Sequence, residues 1–413
     1  MPASTVGPTS ATCRLTAEAN ALPDTGEALR GKRVIMLHVC LEMGGAERQS
    51  LHLARYLQEQ CGADVEMWGT RSGGVVARLC SQFGIAWQVV PFEWPASRIG
   101  KIRGLSGFAQ RLRRASPDVI MPYTVVPNVA CGLVWKWTGA ARCIWNQRGV
   151  LDHHISLRWQ AMAARRASCL IANAAHTAAS LVEQFRVNKD YVHVVRNGID
   201  LESLDAMGAP IDWRKELGIS GKSFVACKLA RISTAKDHAT VLRAWRRVVD
   251  ELDYTGPAPV LLLAGRLDDA ADAAKSLAFD LELGRSVRFL GHVSDVYGLL
   301  RAADLAVFAS PAEGCPNGLL ESMAAGLAVA ATDDPGIREA VGPDNEHFLV
   351  PQGDADALAE LIIGLARHPD ERIAAGRANR QRVARHFSYD RMCQATVDLM
   401  AAPEWRKDRR CAE

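Results

Sequence analysis

From residue 33 almost to the end, short runs too apolar to alternate are separated by longer helical stretches. A strand with apolar residues at every position is buried on both faces, and helical connections between such strands make them parallel. In the first half the candidate strands are RVIMLHV (33–39), DVEMW (64–68), AWQVV (86–90), DVIMPY (118–123), RCIW (142–145), CLIAN (169–173) and YVHVV (191–195). The stretch 197–222, NGIDLESLDAMGAPIDWRKELGISGK, interrupts the pattern with an Asn-Gly turn, acidic residues and scattered glycines, as a domain connection does. A second series follows: SFVACKLA (223–230), PVLLLAG (259–265), VRFLG (287–291), DLAVFAS (304–310), LAVAAT (327–332) and HFLV (347–350). The fold class expected is α/β, with two Rossmann-like doubly wound domains facing each other across a cleft. A chain of 413 residues is long enough for that, since a domain takes about 100–200 residues.

The expected division is a flexible leader over 1–30, an N-terminal domain over 31–196, the hinge over 197–222, a C-terminal domain over 223–388 and a C-terminal helix over 389–413. Such a helix can cross back to the N-terminal domain. The leader is rich in Ala, Thr, Pro and Ser and has no apolar central run of the kind a signal peptide carries. No stretch reaches the roughly 18–20 apolar residues that cross a bilayer. Eleven cysteines include no CxxC pair, and many lie inside apolar runs, which predicts reduced, buried thiols and a cytoplasmic chain.

The net charge of +3 conceals a division. Residues 31–200 sum to about +10 and residues 201–413 to about −6. A basic half suits nucleic acid, an anionic membrane surface or a phosphorylated substrate. The segment 98–115, RIGKIRGLSGFAQRLRRA, holds six basic and no acidic residues. Ile99, Ile102, Leu105, Phe108 and Leu112 give it an apolar stripe expected to pack on the sheet, leaving the basic remainder to face phospholipid or a lipid-diphosphate acceptor.

Ligands of doubly wound sheets bind beyond the carboxyl ends of the strands, so the loops there carry the chemistry. The first, CLEMGGAER (40–48), sets Gly44 and Gly45 before a helix, where backbone N–H groups face an anion. It lacks GxGxxG, which removes the main support for a dinucleotide. The second, ARISTAKDHATVLRAW (230–245), carries Arg231 just after a strand and Lys236 just before a helix. A planar fork and a mobile point charge together suit a diphosphate. The third, SPAEGCPNGLLESMAAGLAVAATD (310–333), sets Glu313 in the loop and Glu321 inside the following helix, with seven residues between them. Asn317, Gly318 and Leu319 fall in its first turn, with free N–H groups for a phosphate or sugar oxygen. Asp354 and Asp356 form a DxD, but directly before ALAELIIGLAR they read as helix capping. No His, Cys or carboxylate cluster has convincing metal spacing, so neither a metal nor a cofactor is expected.

CLEMGGAER, VVRNGID (194–200), LARISTAKDHATVL (229–242), LLLAG (261–265), RFLGHVSDV (288–296) and EGCPNGLLESMAAG (313–326) together resemble family 4 glycosyltransferases, over about 33–400. The resemblance implies a retaining, nucleotide-sugar-dependent enzyme of the GT-B fold. It implies catalytic and diphosphate-binding roles for Arg231 and Lys236, and a donor-sugar contact for Glu313. It also implies a ribose contact for Glu321, closure of Gly44–Gly45 over the donor phosphates, and base recognition by backbone near His292 and Val293. Many relatives carry a His in the position here occupied by DVIMPYTVVPN (118–128), which has Tyr123 and Asn128 instead. His153 and His154 are the nearest substitutes in sequence, though a surface pair explains them as well.

The function implied is transfer of a sugar from a nucleotide diphosphate sugar to a hydroxyl of a glycan or lipid-linked acceptor, in cell-surface polysaccharide or glycolipid synthesis. The partners are that donor, that acceptor and an anionic membrane surface on the cytoplasmic side, with no nucleic acid. Two alternatives stand beside it. Epimerases and phosphorylases share the fold, but the acid/base carboxylates and Schiff-base Lys they need are not evident. The other is an inactive GT-B chain that binds a nucleotide sugar or scaffolds a partner.

Overall fold

The computed structural model describes residues 26–149, 155–206, 211–252 and 256–402. The expected strands all form. The first sheet contains β1 (Arg33–Cys40), β2 (Asp64–Ser72), β3 (Ala86–Val89), β4 (Val119–Pro122), β5 (Arg142–Gln147), β6 (Cys169–Ala172) and β7 (Val192–Val194). The second contains β8 (Val225–Leu229), β9 (Val260–Ala264), β10 (Val287–Gly291), β11 (Leu305–Phe308), β12 (Ala328–Thr332) and β13 (Leu349–Val350). The orders are β3-β2-β1-β4-β5-β6-β7 and β10-β9-β8-β11-β12-β13, with every pair parallel. Each order reverses once, between β1 and β4 in the first sheet and between β8 and β11 in the second. A crevice opens at such a switch point.

The unbroken apolar runs follow from burial on both faces. Val34 and Met36 point into one core cluster, Ile35 and Leu37 into another, and all four are fully buried. In the second sheet Val225 and Cys227 face one cluster while Ala226 faces the other. Of the nine described cysteines none is bridged, and all but Cys40 are buried, as small apolar side chains.

Two crossings join the halves side by side. Ile199 N donates to Phe387 O at 2.8 Å and Tyr389 N to Ile199 O at 3.1 Å. The strands of backbone pass so closely that a Cβ on Gly198 would lie 2.7 Å from Tyr389 Cα. Beyond that crossing, the helix Tyr389–Ala401 inserts Met392, Cys393, Val397 and Met400 into the core of the first sheet. The two halves thus share a helix as well as a cleft.

The helix Arg98–Ala115 departs from the reading of its sequence. Phe108 and Leu112 are buried and Leu105 is half-buried, but Ile99 and Ile102 are 65% and 71% exposed. Its amino-terminal turns lie against Phe92 and Pro95 on one side and turn both isoleucines to solvent. A helical period fixes which residues share a face, but not how far that face has something to lie against.

Candidate active site

The four loops at the two switch points meet across the cleft. On the second domain the helix Asn317–Ala324 begins directly over the end of β8. A Cβ on Gly318 would sit 2.0 Å from Leu229 O, so only glycine allows this approach. The N–H groups of Asn317, Gly318 and Leu319 lie in the first turn, where no earlier carbonyl of the helix is in reach.

The loop before that helix is held from two sides. Asp334 accepts from Glu313 N at 3.1 Å, from Gly336 N at 2.8 Å and from Ile337 N at 3.2 Å. Burial pushes its carboxyl up, and those N–H groups oppose the shift. Glu313 is nearly buried, and its Oε1 accepts from Lys236 Nζ at 2.5 Å and Ser310 Oγ at 2.7 Å. From the first domain, His176 Nε2 donates to Glu313 O at 2.8 Å. Arg231 is half exposed at the mouth and pairs with Asp268 at 3.2 Å, which Arg266 also holds at 2.7 Å. The Arg266 hydrogen bond keeps the Asp268 carboxyl below its ordinary range.

Glu321 is 3% exposed, and Arg48 of the first domain forms an ion pair with it across the cleft. Burial pushes the Glu321 carboxyl up, against the pull of Arg48. Asn317 Nδ2 donates to Gly45 O at 3.0 Å, so the Gly44–Gly45 loop touches the helix start that faces it. Asn197 Nδ2 donates to Cys315 O at 2.9 Å and to Asn317 Oδ1 at 2.7 Å. Glu339 completes the seam, accepting from Arg196 Nε at 2.8 Å and Ala175 N at 2.7 Å.

The first-domain wall is built on His38, near the end of β1, and Tyr123, after β4. Their rings stack at 4.5 Å with planes 13° apart, and both are fully buried. Burial pushes the Tyr123 phenol up to about 12. Neither ring nitrogen of His38 has a hydrogen-bond partner, the Glu47 carboxylate standing 3.6 Å from Nδ1. Burial alone would raise the Glu47 carboxyl, but the imidazole beside it more than offsets this and holds it low. The Arg148 guanidinium lies 5.3 Å from the Tyr123 ring centre, and Asn173 Oδ1 is buried without a partner. Asn128 is internal: its Nδ2 donates to Asn146 O at 2.8 Å, tying the helix after β4 to β5.

Gly44, Gly45, Lys236, Glu313, Asn317, Gly318, Leu319 and Glu321 thus gather at the facing switch points, with Arg231 at the mouth. His292 and Val293 lie on another loop, Val293 in the same core cluster as Leu319. They follow β10, the edge strand, where His292 is exposed and Val293 packs into the core. His153 and His154 lie outside the described residues. Sequence reasoning passed over His38, Arg48, Asn173, His176 and Glu339. For Asn173 the available signal was a polar residue ending an apolar strand, as in CLIAN, and for His38 a polar residue inside the otherwise apolar end of RVIMLHV. Asp354 caps the helix Ala355–Arg367, accepting from Ala357 N at 2.9 Å, and Asp356 pairs with Arg247. Among the described residues no group of three His, Cys, Asp or Glu side chains is placed to hold a metal ion.

Two facing parallel α/β domains with ligand loops at both switch points define the GT-B architecture. Residues 43–203 match the family model described as Glycosyltransferase Family 4, and residues 211–382 the one described as Glycosyl transferases group 1. The chain is a GT-B protein related, half by half, to these two families.

Among solved structures, Alr3699/HepE of Anabaena in complex with UDP and glucose superposes with a TM-score of 0.77. It is 21% identical, and the match covers 90% of this chain and 99% of that one. A glycosyltransferase from Rickettsia africae gives 0.76 at 18% identity, covering 92% and 99%. Among curated proteins, one relative is the N-acetylgalactosamine-N,N'-diacetylbacillosaminyl-diphospho-undecaprenol 4-alpha-N-acetylgalactosaminyltransferase of Campylobacter jejuni. It is 28% identical over 186 residues, 45% of this chain and 47% of the relative. The chain spans about half the length of the curated relatives it matches.

Proposed function

We propose that this chain is a retaining glycosyltransferase. It moves a sugar from a nucleotide diphosphate sugar to a hydroxyl of a glycan or lipid-linked acceptor, in cell-surface polysaccharide or glycolipid synthesis. The observation that carries the reading is the convergence of Lys236, Glu313 and Glu321 around one helix start, with Arg231 at its mouth. Charge develops on the diphosphate as the glycosidic bond breaks. Arg231, Lys236 and the N–H groups of 317–319 stabilise it, the work done elsewhere by a divalent metal. Glu313 hydrogen-bonds the sugar ring and Glu321 the ribose, while backbone near His292 and Val293 meets the base. Attack by the acceptor from the face the phosphate leaves gives retention.

The complexed UDP and glucose of one neighbour, and the lipid-diphosphate acceptor in the name of one relative, support this choice of donor and acceptor class. No described helix is long and apolar enough to cross a membrane. The basic Arg98–Ala115 helix, with Ile99 and Ile102 exposed, supports docking of the first domain on the anionic cytoplasmic face of a membrane. The test is nucleoside diphosphate release over a panel of donor sugars, with lipid-linked acceptors in anionic vesicles, with and without EDTA. Acceptor-dependent release that survives chelation is expected. Release from no donor, or release that requires Mn²⁺ or Mg²⁺, would count against the mechanism.

A further inference from the structure

One buried charge beneath the donor site has no part in the scheme above. Lys228 lies on β8, the strand at the switch point of the second sheet, and is fully buried. A buried ammonium is strongly disfavoured unless hydrogen bonds hold it. Its Nζ donates to Lys236 O at 2.6 Å and to Ala309 O at 2.7 Å. These carbonyls belong to different loops, both of which form the donor site. Lys236 Nζ reaches Glu313 Oε1 at 2.5 Å, and Ser310, next to Ala309, reaches the same oxygen at 2.7 Å. A ring results: Lys228 ties the two loops together from below, and Lys236 and Ser310 meet on Glu313 above.

The charged and titratable groups acting on Lys228 are Asp237, Lys236, Glu313 and His238. The His238 ring is buried with neither nitrogen partnered. Burial, with the two lysines, pushes its pKa down to about 3, so it is neutral.

We propose that Lys228 is a positioning residue for the donor diphosphate: its charged ammonium staples the Arg231–Lys236 loop to the Ser310–Glu313 loop and adds to the positive field on the phosphates. The inference rests on the donor-site reading above. Burial pushes Lys228 down to about 7. The neutral amine keeps N–H donors but loses the charge that strengthens their bonds. An arriving diphosphate favours the ammonium, so binding takes up a proton. Affinity is then highest below about pH 7 and falls as pH rises through the free-protein value.

The experiment is calorimetry of the full chain with a panel of nucleotide diphosphate sugars, whose two phosphates keep a constant charge over about pH 6–9. Each titration is run in two buffers of different ionisation heat. Wild type is expected to bind about tenfold more weakly at the top of that range than at the bottom, with proton uptake between. Lys228→Met is expected to bind with a flat profile at the weaker level, and its loss to appear in donor KM more than in kcat. Wild-type binding without proton uptake overturns the proposal, and that measurement does not depend on the variant folding. A variant with wild-type affinity and slope overturns it too, leaving the donor site standing. A wild type that binds no member of the panel overturns the donor-site reading itself, and this inference with it.

Discussion

The two walls of the cleft are built from opposite materials. On the second-domain wall three charged side chains are paired: Lys236 with Glu313, Arg231 with Asp268, and Glu321 with Arg48 of the facing domain. On the first-domain wall several buried polar atoms make no hydrogen bond: Nε2 of His38, Asn173 Oδ1 and Nδ1 of His176, while His38 Nδ1 faces the Glu47 carboxylate at 3.6 Å. A paired charge exchanges one partner for another when a charged ligand arrives, so that wall changes little in its electrostatics. An unpaired buried group costs about 1–3 kcal/mol until something hydrogen-bonds to it. The first wall therefore gains most from a neutral, hydroxyl-rich ligand, and the second from an anionic one. That is the division a sugar acceptor and a nucleotide diphosphate would need.

The sharpest break in the comparison is Lys236→Ala. It removes the proposed diphosphate contact and leaves the nearly buried Glu313 carboxylate without its cation, with Ser310 Oγ still donating to it. The expected fall in kcat/KM is about 100-fold, since a charged hydrogen bond and a carboxylate without its cation together amount to roughly 2.5–3 kcal/mol. Steady-state kinetics with the best donor checks it. A loss under threefold in folded protein would remove Lys236 from the diphosphate.

Arg48→Ala probes the pair that spans both walls. Burial raises the Glu321 carboxyl and Arg48 opposes the rise, so without Arg48 the carboxyl climbs further. Only the carboxylate accepts two ribose hydroxyls, and it is lost as pH falls through the raised value. Donor affinity in the variant should therefore begin to drop at a higher pH than in wild type. The variant's loss relative to wild type should grow as pH falls and close as pH rises. Binding tighter than wild type at every pH would show that Arg48 merely blocks the ribose site.

What could be read from the chain follows the same line between local and distant information. The strands and both switch-point loops were legible because an apolar run bounded by a glycine-rich or charged turn is a local signal. Glu313 and Lys236 were legible for that reason: each sits at a fixed offset from a strand end. Arg48, His176, Asn197 and Glu339 were not, because their partners lie more than a hundred residues away in sequence. Nothing near Arg48 in the helix Gly45–Glu59 separates it from an ordinary surface cation. His38 was hidden differently, as a single polar residue within an apolar strand, two residues before its end. The exposure of Ile99 and Ile102 was out of reach, since it depends on where the domain surface stops.

His38→Gln tests the first wall alone. Exchanging the imidazole for a flexible carboxamide displaces the hydrogen-bonding atoms of the proposed acceptor wall and leaves the second domain untouched. The expected result is about a fivefold lower kcat/KM for the acceptor, near 1 kcal/mol, with nucleotide affinity unchanged. Equal losses for donor and acceptor would mean that His38 supports the Gly44–Gly45 loop through Glu47, and that the walls are not separable.

The smallest effect concerns where the first wall stands. Arg98, Lys101 and Arg103 interleave with the exposed Ile99 and Ile102, and Arg111, Arg113 and Arg114 continue the basic face. Each basic residue near an anionic surface contributes about 1 kcal/mol, and salt weakens it, while the isoleucines contribute an apolar term that salt leaves intact. The two contributions can therefore be separated by co-sedimentation with anionic vesicles. Changing Arg111, Arg113 and Arg114 to Glu should lower recovery about threefold at low salt and little at high salt. Replacing Ile99 and Ile102 with Ser should lower it about twofold at both. Recovery that never differs from neutral vesicles would detach the basic charge from any membrane and leave it to the acceptor.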